Sequence, residues 1–450
     1  MAEKDTCRDS VYYVGEVSAV TSTGEQAPTL LWHNTDGNIA SLPHSGNLSL
    51  GIIKPATRPN RWFDYDFGAV LTGRVSGTQR SIPTPEIRGT GYFRELYAHV
   101  RLYIVDITAG IHPWQTNPGD PELTGGSLLF SGNAHPFPRI SIGLDKWTPI
   151  PGMFGYVEIR GGLTHGWLGD NSEIVKGTLL HYKFIGGQFG GKLPVNISYE
   201  FHHVAQWGGI SSIYGDLGND FNAWKNAFLV RSGGKMSNDQ LNAQGNHIGM
   251  QQLALTAKGK GWKVTAYWQC LSEDGPIHFM CYGRNMKDGL WGVNMTQTRW
   301  PFISGFTYEL LHTTDQAGPW HDKDGVVYGG GDGYYGNGIY RQGWSYFGNI
   351  IGSPFISLSN NRVMAHFVGV KGDIYGYKYR VICSHVHNYG RYGAPAESVN
   401  TAILLDVTKH VRQAWGLDFG LRLAADFGTQ FGNRFGAQLT ISKRGLITSW

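Results

Sequence analysis

The 450-residue sequence predicts an all-β fold, a transmembrane antiparallel β-barrel with long external loops. Many segments alternate apolar and polar residues with a period of two, which is typical of strands with one buried or lipid-facing side. Glycine is frequent (64 residues) and aromatic residues make up 13 % of the chain, while charged residues make up only 16 %, against roughly 25 % in soluble domains. A soluble sandwich or propeller would alternate in the same way, so strand length has to separate the two architectures.

The clearest strand is "WGLDFGLRLAADF", residues 415–427. Its odd-numbered positions are all apolar, whereas its even-numbered positions include Arg422. Soluble strands average about 5–6 residues and membrane-spanning strands need about 9–11, so this segment is long enough to span. A charged residue in mid-strand fits a water-filled lumen. We therefore expect Leu421 to face lipid, where an arginine would cost about 2–4 kcal/mol, and Ala424 to face the lumen, where an arginine would be tolerated.

Six other segments show the same alternation, namely 96–104, 156–163, 195–201, 306–310, 375–381 and 433–442. Basic residues lie on their polar faces and on that of the first segment: Arg101, Arg160, Lys378, Arg380, Arg422 and Arg434. We expect them to pair with lumen acids such as Glu158, Glu200, Asp418 and Asp426, although they could instead attract an acidic polysaccharide. Lys443, Arg444 and Gly445 interrupt the final alternation, which predicts that the last strand ends before Trp450.

Short turns alternate along the chain with long loops rich in glycine and aromatic residues, notably 207–247 and 312–350. Bacterial outer-membrane barrels have this arrangement, with short periplasmic turns and long external loops. We expect a flexible segment at residues 1–10, followed by a single barrel domain at residues 11–450.

One short helix is predicted within residues 219–234, inside the first long loop. Its aromatic residues recur at helical spacing. Asn219 or Asp220 can serve as the N-cap, and Gly233 lies beyond its end.

Composition and motifs exclude several other classes of protein. A transmembrane helix is excluded because no apolar stretch reaches 18 residues, and no nucleic-acid partner is expected because the net charge of +4 is spread along the chain. The sequence lacks G-x-S-x-G, H-E-x-x-H and P-loop patterns, so we expect no enzyme and no cofactor. The acidic "HDKDG" (321–325) lacks EF-hand spacing, and no metal site is expected. The polar start "MAEKDTCRDS" does not resemble a signal peptide, so we expect an export signal to have been removed.

Two of the four cysteines, Cys270 and Cys281, bracket a predicted loop. A disulfide across that loop and two free thiols are both compatible with the sequence. Neither cysteine belongs to a C-x-x-C arrangement, which argues against zinc.

Several segments, in order along the chain, resemble the Wzi family of capsule-assembly proteins. They are "GGSLLFSGNAHPFPRI" (125–140), "FHHVAQWGG" (201–209), "GNHIG" (245–249), "SEDG" (272–275), "DGLWGV" (288–293), "TTDQAGPWHD" (313–322), "GGDGYYGNGIYRQGWSYFGNIIGSP" (330–354), "NNRVMAHFVGV" (360–370) and "HNYGRYG" (387–393). The resemblance implies an 18-stranded barrel in the bacterial outer membrane. It also implies a non-enzymatic, lectin-like protein that attaches capsular polysaccharide to the cell surface.

As partners, the resemblance implies capsular or other surface polysaccharide and outer-membrane lipid. We expect a monomer that could contact other outer-membrane proteins. Some family members carry a periplasmic helical bundle before the barrel, and because strand-like sequence begins at residue 11 we expect no such bundle within residues 1–10. An outer-membrane channel for small solutes or oligosaccharides is the alternative function, because the same strand pattern supports it.

Sugar binding needs aromatic faces for the rings and planar polar groups for the hydroxyls, held in a concave site. The loop at 330–349 offers both. The candidate ligand-binding residues are Asp332, Tyr334, Tyr335, Asn337, Tyr340, Arg341 and Trp344, together with Gln206 and Trp207. The alternative is that these aromatic residues pack the loop against the barrel mouth.

Overall fold

The computed structural model describes residues 9–57, 62–77, 87–169, 174–233, 243–273 and 286–450. Eighteen strands form one sheet, in which each strand is antiparallel to its neighbours in the chain. The last strand pairs with the first, so the sheet closes on itself. The prediction of an 18-stranded antiparallel barrel is confirmed.

The barrel strands are β1 (Ser10–Ser22), β2 (His44–Lys54), β3 (Phe63–Gly77), β4 (Ile87–Leu102), β5 (Val105–Ile111), β6 (Arg139–Pro149), β7 (Val157–Gly169), β8 (Thr178–Phe189), β9 (Val195–Trp207), β10 (Asn246–Gly259), β11 (Trp262–Ser272), β12 (Gly289–Gln297), β13 (Gly305–His312), β14 (Val363–Ile374), β15 (Tyr377–Arg391), β16 (Ala394–Val411), β17 (Leu417–Gly428) and β18 (Arg434–Ser449). Short strand pairs also occur within the loops, including the hairpin of His321–Lys323 with Val326–Gly329. The acidic "HDKDG" segment lies in that hairpin.

The side chains of β17 point outward and into the lumen in turn, as the alternation predicts. Leu421 and its odd-numbered apolar neighbours are exposed on the outer face, and Arg422 points into the lumen, where it pairs with Asp406 at 2.9 Å. The strand begins at Leu417, two residues later than predicted, because Trp415 lies in the preceding turn with a φ of 54°. Two other predicted strands also run into turns, at 103–104 and at 375–376.

The last strand ends before Trp450, as predicted, but the residues that interrupt its alternation do not end it. β18 continues through Lys443 and Arg444 to Ser449, paired with β1. Gly445 lies opposite Tyr13, and a Cβ atom at this glycine would lie 2.4 Å from the Tyr13 ring. The glycine that suggested a break thus lets an aromatic ring cross the strand.

The two ends of the barrel differ. At one end, called the short-turn end, hairpins such as 103–104 and 375–376 connect the strands, and the chain ends meet through a backbone hydrogen bond from Asp9 to Trp450. β1 begins at Ser10, one residue before the predicted barrel domain, and residues 1–8 lie outside the described part. At the opposite, long-loop end, three loops turn into the lumen: 23–43, 112–138 and 313–362.

The outer wall has an apolar belt between two aromatic rims. Exposed leucine, isoleucine and valine side chains make up the belt. Exposed aromatic residues of the short-turn rim include Trp62, Tyr103, Phe154, Phe189, Trp262, Trp300, Tyr375 and Trp415, and those of the long-loop rim include Phe93, Trp167, Trp291, Phe427 and Phe435. This pattern matches a wall that crosses a membrane with aromatic girdles at both interfaces.

The lumen near the long-loop end contains a hydrophobic core. Loops 112–138 and 313–362 contribute Leu128, Leu129, Phe130, Tyr334, Tyr335 and Trp344, which pack against inward residues of the strands. Loop 23–43 adds a second cluster around the four-residue helix α1 (Thr29–Trp32). Ala424 belongs to this second cluster and is buried, so the prediction that arginine would be tolerated there is wrong, because the lumen is filled at that height.

The predicted loop helix is confirmed as α2 (Phe221–Leu229), with Asp220 as its N-cap accepting a hydrogen bond from the Ala223 amide at 2.8 Å. It ends earlier than expected, because Val230 rather than Gly233 adopts the left-handed conformation that terminates it. Helix α1 was not predicted, because its four residues are too few to show a helical period in the sequence. Among the described helices, none is long and apolar enough to cross a membrane.

Candidate ligand-binding site

Loop 313–362 is fixed inside the barrel mouth by the aromatic residues that were predicted to bind sugar. The Tyr335 hydroxyl donates to the Leu128 carbonyl at 2.5 Å and accepts from the Ser353 amide at 3.0 Å. The Trp344 indole donates to the Leu129 carbonyl at 2.8 Å. These bonds join loop 313–362 to loop 112–138, so the two loops form one plug.

Two further tyrosines tie the plug to its surroundings. Tyr334 donates to the Asp288 carboxylate at 2.9 Å, and Tyr340 donates to the Gly208 carbonyl at 3.0 Å. Burial raises the pKa of Tyr334 and of Tyr335 far above the ordinary value of a phenol. Both phenols therefore remain protonated hydrogen-bond donors, in keeping with a structural role.

Gln206 and Trp207 are neighbours on β9 and point to opposite faces of the wall. Gln206 points inward, where it donates to the Gly343 carbonyl at 3.2 Å and accepts from Asn246 at 2.8 Å. Trp207 points outward and is buried under helix α2. The structure therefore brings Gln206 against the 330–349 loop, whereas Trp207 lies on the other side of the wall.

Burial divides the nine predicted ligand residues into two groups. Tyr334, Tyr335, Tyr340, Trp344, Gln206 and Trp207 are buried, so direct sugar contact through them does not fit their positions, and the packing alternative describes them better. Asp332 and Asn337 are half-buried and Arg341 is exposed. Asn337 caps a turn by accepting from the amides of Ile339 and Tyr340.

Arg341 lies at the outer surface of the long-loop end. Its Nη2 is 3.4 Å from the hydroxyl of Tyr214, a residue of loop 208–245 that is itself exposed. The pair offers a planar cation and an aromatic face from two different loops. Of the predicted ligand residues, Arg341 is the most accessible.

Sequence reasoning missed a second group at this end of the barrel. Trp320 is 60 % exposed. Its ring lies across Gly331, where a Cβ atom would come within 2.8 Å of the ring. Lys287 contacts Asp315 at 3.3 Å, close to His321, the next residue after Trp320. The group combines an exposed indole with charged side chains. The sequence "PWHD" (319–322), which places a tryptophan next to polar residues in a loop, could have indicated it.

Glu309 fixes the plug from below. This carboxylate is 1 % exposed and points into the lumen from β13. It accepts hydrogen bonds from the Tyr267 hydroxyl at 2.6 Å, the Thr124 hydroxyl at 2.7 Å, the Asn117 amide at 2.8 Å and the Gly125 backbone at 2.6 Å. Three of the four donors belong to loop 112–138, so one carboxylate holds the loop in the lumen.

Below the plug, toward the short-turn end, lies a polar cavity of about 840 Å³. The charged side chains of the lumen are largely paired, as the sequence predicted. The pairs in the lumen include Arg160 with Glu200 (2.5 Å), Arg101 with Asp106 (2.6 Å), Arg434 with Asp426 (2.7 Å), and both Arg380 (2.8 Å) and Arg422 (2.9 Å) with Asp406. Glu200 and Asp426 were predicted as acidic partners, whereas Asp106 and Asp406 were not.

Among the described residues, one cluster has the spacing of a metal site: His99, Asp106 and Asp145, with ligand atoms within 4.8 Å of one another. Arg101 lies 2.6 Å from Asp106, and both nitrogens of the His99 ring contact carboxylates. These partners already satisfy the cluster as an ion-pair network. The Cys270–Cys281 alternative falls partly outside the described residues, which do not include Cys281.

Asp36 gives the plug a pH dependence. Its amide donates to the Gly132 carbonyl and so joins loops 23–43 and 112–138, and burial raises the pKa of its carboxyl from 3.8 to about 7. Because the folded state holds this proton more tightly than the unfolded chain, the contribution to stability is full below the ordinary pKa and is lost as the pH rises through 7. We expect the thermal transition to fall between about pH 4 and about pH 7, and less so in Asp36→Asn. Equal pH dependence in both proteins would contradict this assignment.

Comparison with known proteins finds no family model and no curated protein that matches the chain. Among solved structures, the fold is similar to Wzi of Escherichia coli, with a TM-score of 0.58 and 14 % identity over 95 % of this chain and 84 % of Wzi. It is also similar to OccK7 (OpdD) of Pseudomonas aeruginosa, with a TM-score of 0.50 and 10 % identity over 98 % of this chain and 100 % of that one. The resemblance to the Wzi family seen in the sequence is thus matched by a similarity in fold. The chain is an 18-stranded antiparallel barrel with the fold of outer-membrane proteins, and this fold points to the outer membrane of a Gram-negative bacterium.

Proposed function

We propose that this protein binds surface polysaccharide, capsular polysaccharide in particular, at the long-loop end of the barrel, and that it is not an enzyme. The observation that carries the proposal is the filled lumen. Three loops close the barrel at this end with a hydrophobic core, so the exposed loop surface is available for binding rather than for passage of solutes. Wzi, which has a similar fold, is described as a carbohydrate-binding β-barrel involved in group 1 capsule assembly.

The binding surface combines two sets of residues. Trp320 offers an exposed indole face for the C–H side of a sugar ring, and Lys287 beside it can pair with an acidic sugar. Arg341 and Tyr214 offer the same combination from neighbouring loops. Asp332 and Asn337 remain candidates for hydroxyl contacts at the same end. The protein would act as a monomer held by outer-membrane lipid and would contact other outer-membrane proteins in its assembly role.

Loss of the exposed indole should weaken binding. We expect Trp320→Ala to raise the Kd for capsular polysaccharide from the source strain by roughly 30-fold, as for an aromatic hot spot worth about 2 kcal/mol. Trp300→Ala is the matched control, because Trp300 is equally exposed at the short-turn end. Surface plasmon resonance with the barrel in nanodiscs measures both. Equal affinities of the two variants would refute the assignment of Trp320.

A channel for small solutes or oligosaccharides is the second candidate. The polar cavity of about 840 Å³ favours it, since a closed lectin has no need for a wide charged lumen. Planar bilayer recordings separate the two functions. The lectin proposal expects no steady current from the wild-type protein, whereas a large steady conductance would favour the channel.

A further inference from the structure

β8 and β9 carry polar side chains on the outside of the barrel near the long-loop end. Ile185 of β8 is exposed to lipid, and strand alternation puts Lys183 and His181 on the same outer face. On β9, the alternation that exposes Ile197 likewise puts His203 outside. Polar and charged groups facing hydrocarbon are costly, by about 2–4 kcal/mol for Lys at the midplane. This outer patch therefore needs a cover.

Helix α2 is that cover. Within loop 208–245, the helix at residues 221–229 lies over the outside of the wall. Ala223 and Ala227 of the helix pack against Trp207 on the outer face of β9. The Phe228 carbonyl at the end of the helix accepts a hydrogen bond from Lys183, which satisfies the lysine without water.

One side of α2 is an aromatic ridge formed by Phe221, Trp224 and Phe228. The Phe221 and Trp224 rings are 5.4 Å apart, and the Trp224 and Phe228 rings are 5.2 Å apart. Phe228 also lies 4.9 Å from the His181 ring. Phe221 is 70 % exposed and Leu229, next to the ridge, is 42 % exposed, so a large apolar surface continues outward from the wall.

The strand register gives the height of this ridge. Trp167, a residue of the long-loop aromatic rim, pairs with Leu179, whereas the lipid-facing Leu163 pairs with Lys183. Phe228 contacts Lys183 and so lies below the aromatic rim, next to the apolar belt. The ridge is therefore continuous with the surface that contacts lipid.

The other side of α2 is polar. Asn226 donates to Gln244 at 3.0 Å, and Asn222 precedes Asn226 by one helical turn. Lys225 lies between the two sides, where its long side chain can reach from the apolar layer to the headgroups. Short helices with this division of residues lie in the plane of a membrane interface.

We propose that helix α2 is an interfacial helix, lying against the outside of the barrel with its aromatic ridge immersed in the outer leaflet of the membrane. The occupant of the ridge is lipid. The helix has two effects there: it shields the polar patch of Lys183, His181 and His203 from hydrocarbon, and it fixes the position of loop 208–245 relative to the membrane surface. The inference does not depend on the ligand of the long-loop end.

Nitroxide labels can test this placement. In a background in which Cys7, Cys270, Cys281 and Cys383 are replaced, single cysteines at Phe221, Trp224 and Asn222 are labelled in vesicles of phosphatidylethanolamine and phosphatidylglycerol. Electron paramagnetic resonance then compares collisions with oxygen, which concentrates in lipid, and with a water-soluble nickel complex. Ile185 serves as the lipid control, and Glu397, exposed at the long-loop end, serves as the water control.

Labels at Phe221 and Trp224 should give oxygen-to-nickel ratios close to that at Ile185, while the label at Asn222 should shift toward the value at Glu397. The heat-modifiable migration of each labelled protein confirms that it is folded. Two ridge positions are used so that failure of one variant to fold leaves the other as a test. Ratios at both ridge positions equal to that at Glu397 would overturn the proposal.

Discussion

Leu255→Arg should lower the free energy of unfolding by about 2–4 kcal/mol, because it would place a charge on the lipid side near the middle of the apolar belt. Leu255 is half exposed on the outer face of β10 and pairs with Ile197 and Ala266. On the neighbouring strand β11, its partner Ala266 lies between Trp262, which is exposed at the short-turn rim, and Trp268. This pairing gives the height of Leu255 in the wall. Urea unfolding of the barrel in lipid vesicles measures the change.

Thr256→Arg is the matched control for this substitution. Thr256 is the next residue on β10, points into the polar cavity and lies 3.2 Å from the Thr265 hydroxyl. An arginine there can extend into water, so the expected loss is less than about 1 kcal/mol. A loss as large as that of Leu255→Arg would contradict the assignment of the outer face to lipid. Ala424 cannot serve as this control, because the plug buries it.

Glu309→Ala should release loop 112–138 from the lumen and open the barrel. The substitution removes the acceptor of the buried Tyr267 hydroxyl and Gly125 amide, and each unsatisfied buried group costs about 1–3 kcal/mol. Thr124 and Asn117 can still donate to the Gly126 carbonyl. Glu309→Gln should have a smaller effect, since an amide keeps one oxygen acceptor but turns the other position into a donor. Planar bilayer recordings should show steady current for the alanine variant where the wild-type protein gives none.

Glu122→Ala is the control for the loss of a carboxylate, because Glu122 lies in loop 112–138 and joins it to β14. Glu122 is largely exposed and pairs with Lys371 at 2.5 Å. Exposed pairs of this kind contribute about 0–1 kcal/mol, so this variant should stay closed. If Glu309→Ala stays closed as well, the carboxylate does not hold the plug.

The barrel could be predicted from the sequence because strand alternation is a local property. On β17 and β13, the residues two positions before and after a side chain indicate whether it points to lipid or to the lumen. The prediction of its direction needs no knowledge of distant contacts. The errors fall at strand ends, as at Trp415 and Tyr375, because residues in tight turns continue the apolar alternation without forming strand.

The plug could not be predicted in the same way. Tyr334 and Trp320 lie in similar stretches rich in glycine and aromatic residues, yet one is buried in the lumen and the other is exposed. Their difference depends on which loop folds inward, and that depends on partners far along the chain, such as Asp288 for Tyr334. Ala424 likewise points into the lumen, as the alternation predicts, but the plug buries it and so keeps it out of water.

The outer patch shows a third limit of sequence reasoning. His202 and His203 are adjacent on β9 and point to opposite faces, but His203 breaks the rule that outward residues are apolar. The exception is explained only by helix α2, which follows β9 in the chain and covers it. The helix itself was predictable from its spacing, whereas its position outside the wall was not.

Retention of capsule by living cells tests the central claim most directly. In a strain that lacks this gene, the fraction of capsular polysaccharide that sediments with the cells is compared with the fraction in the medium. We expect polysaccharide to shift to the medium in this strain. The wild-type gene and the Trp300→Ala variant should restore retention. The double variant Trp320→Ala, Arg341→Ala should not restore it. Unchanged retention in the deletion strain would contradict a role for this protein in holding polysaccharide at the cell surface.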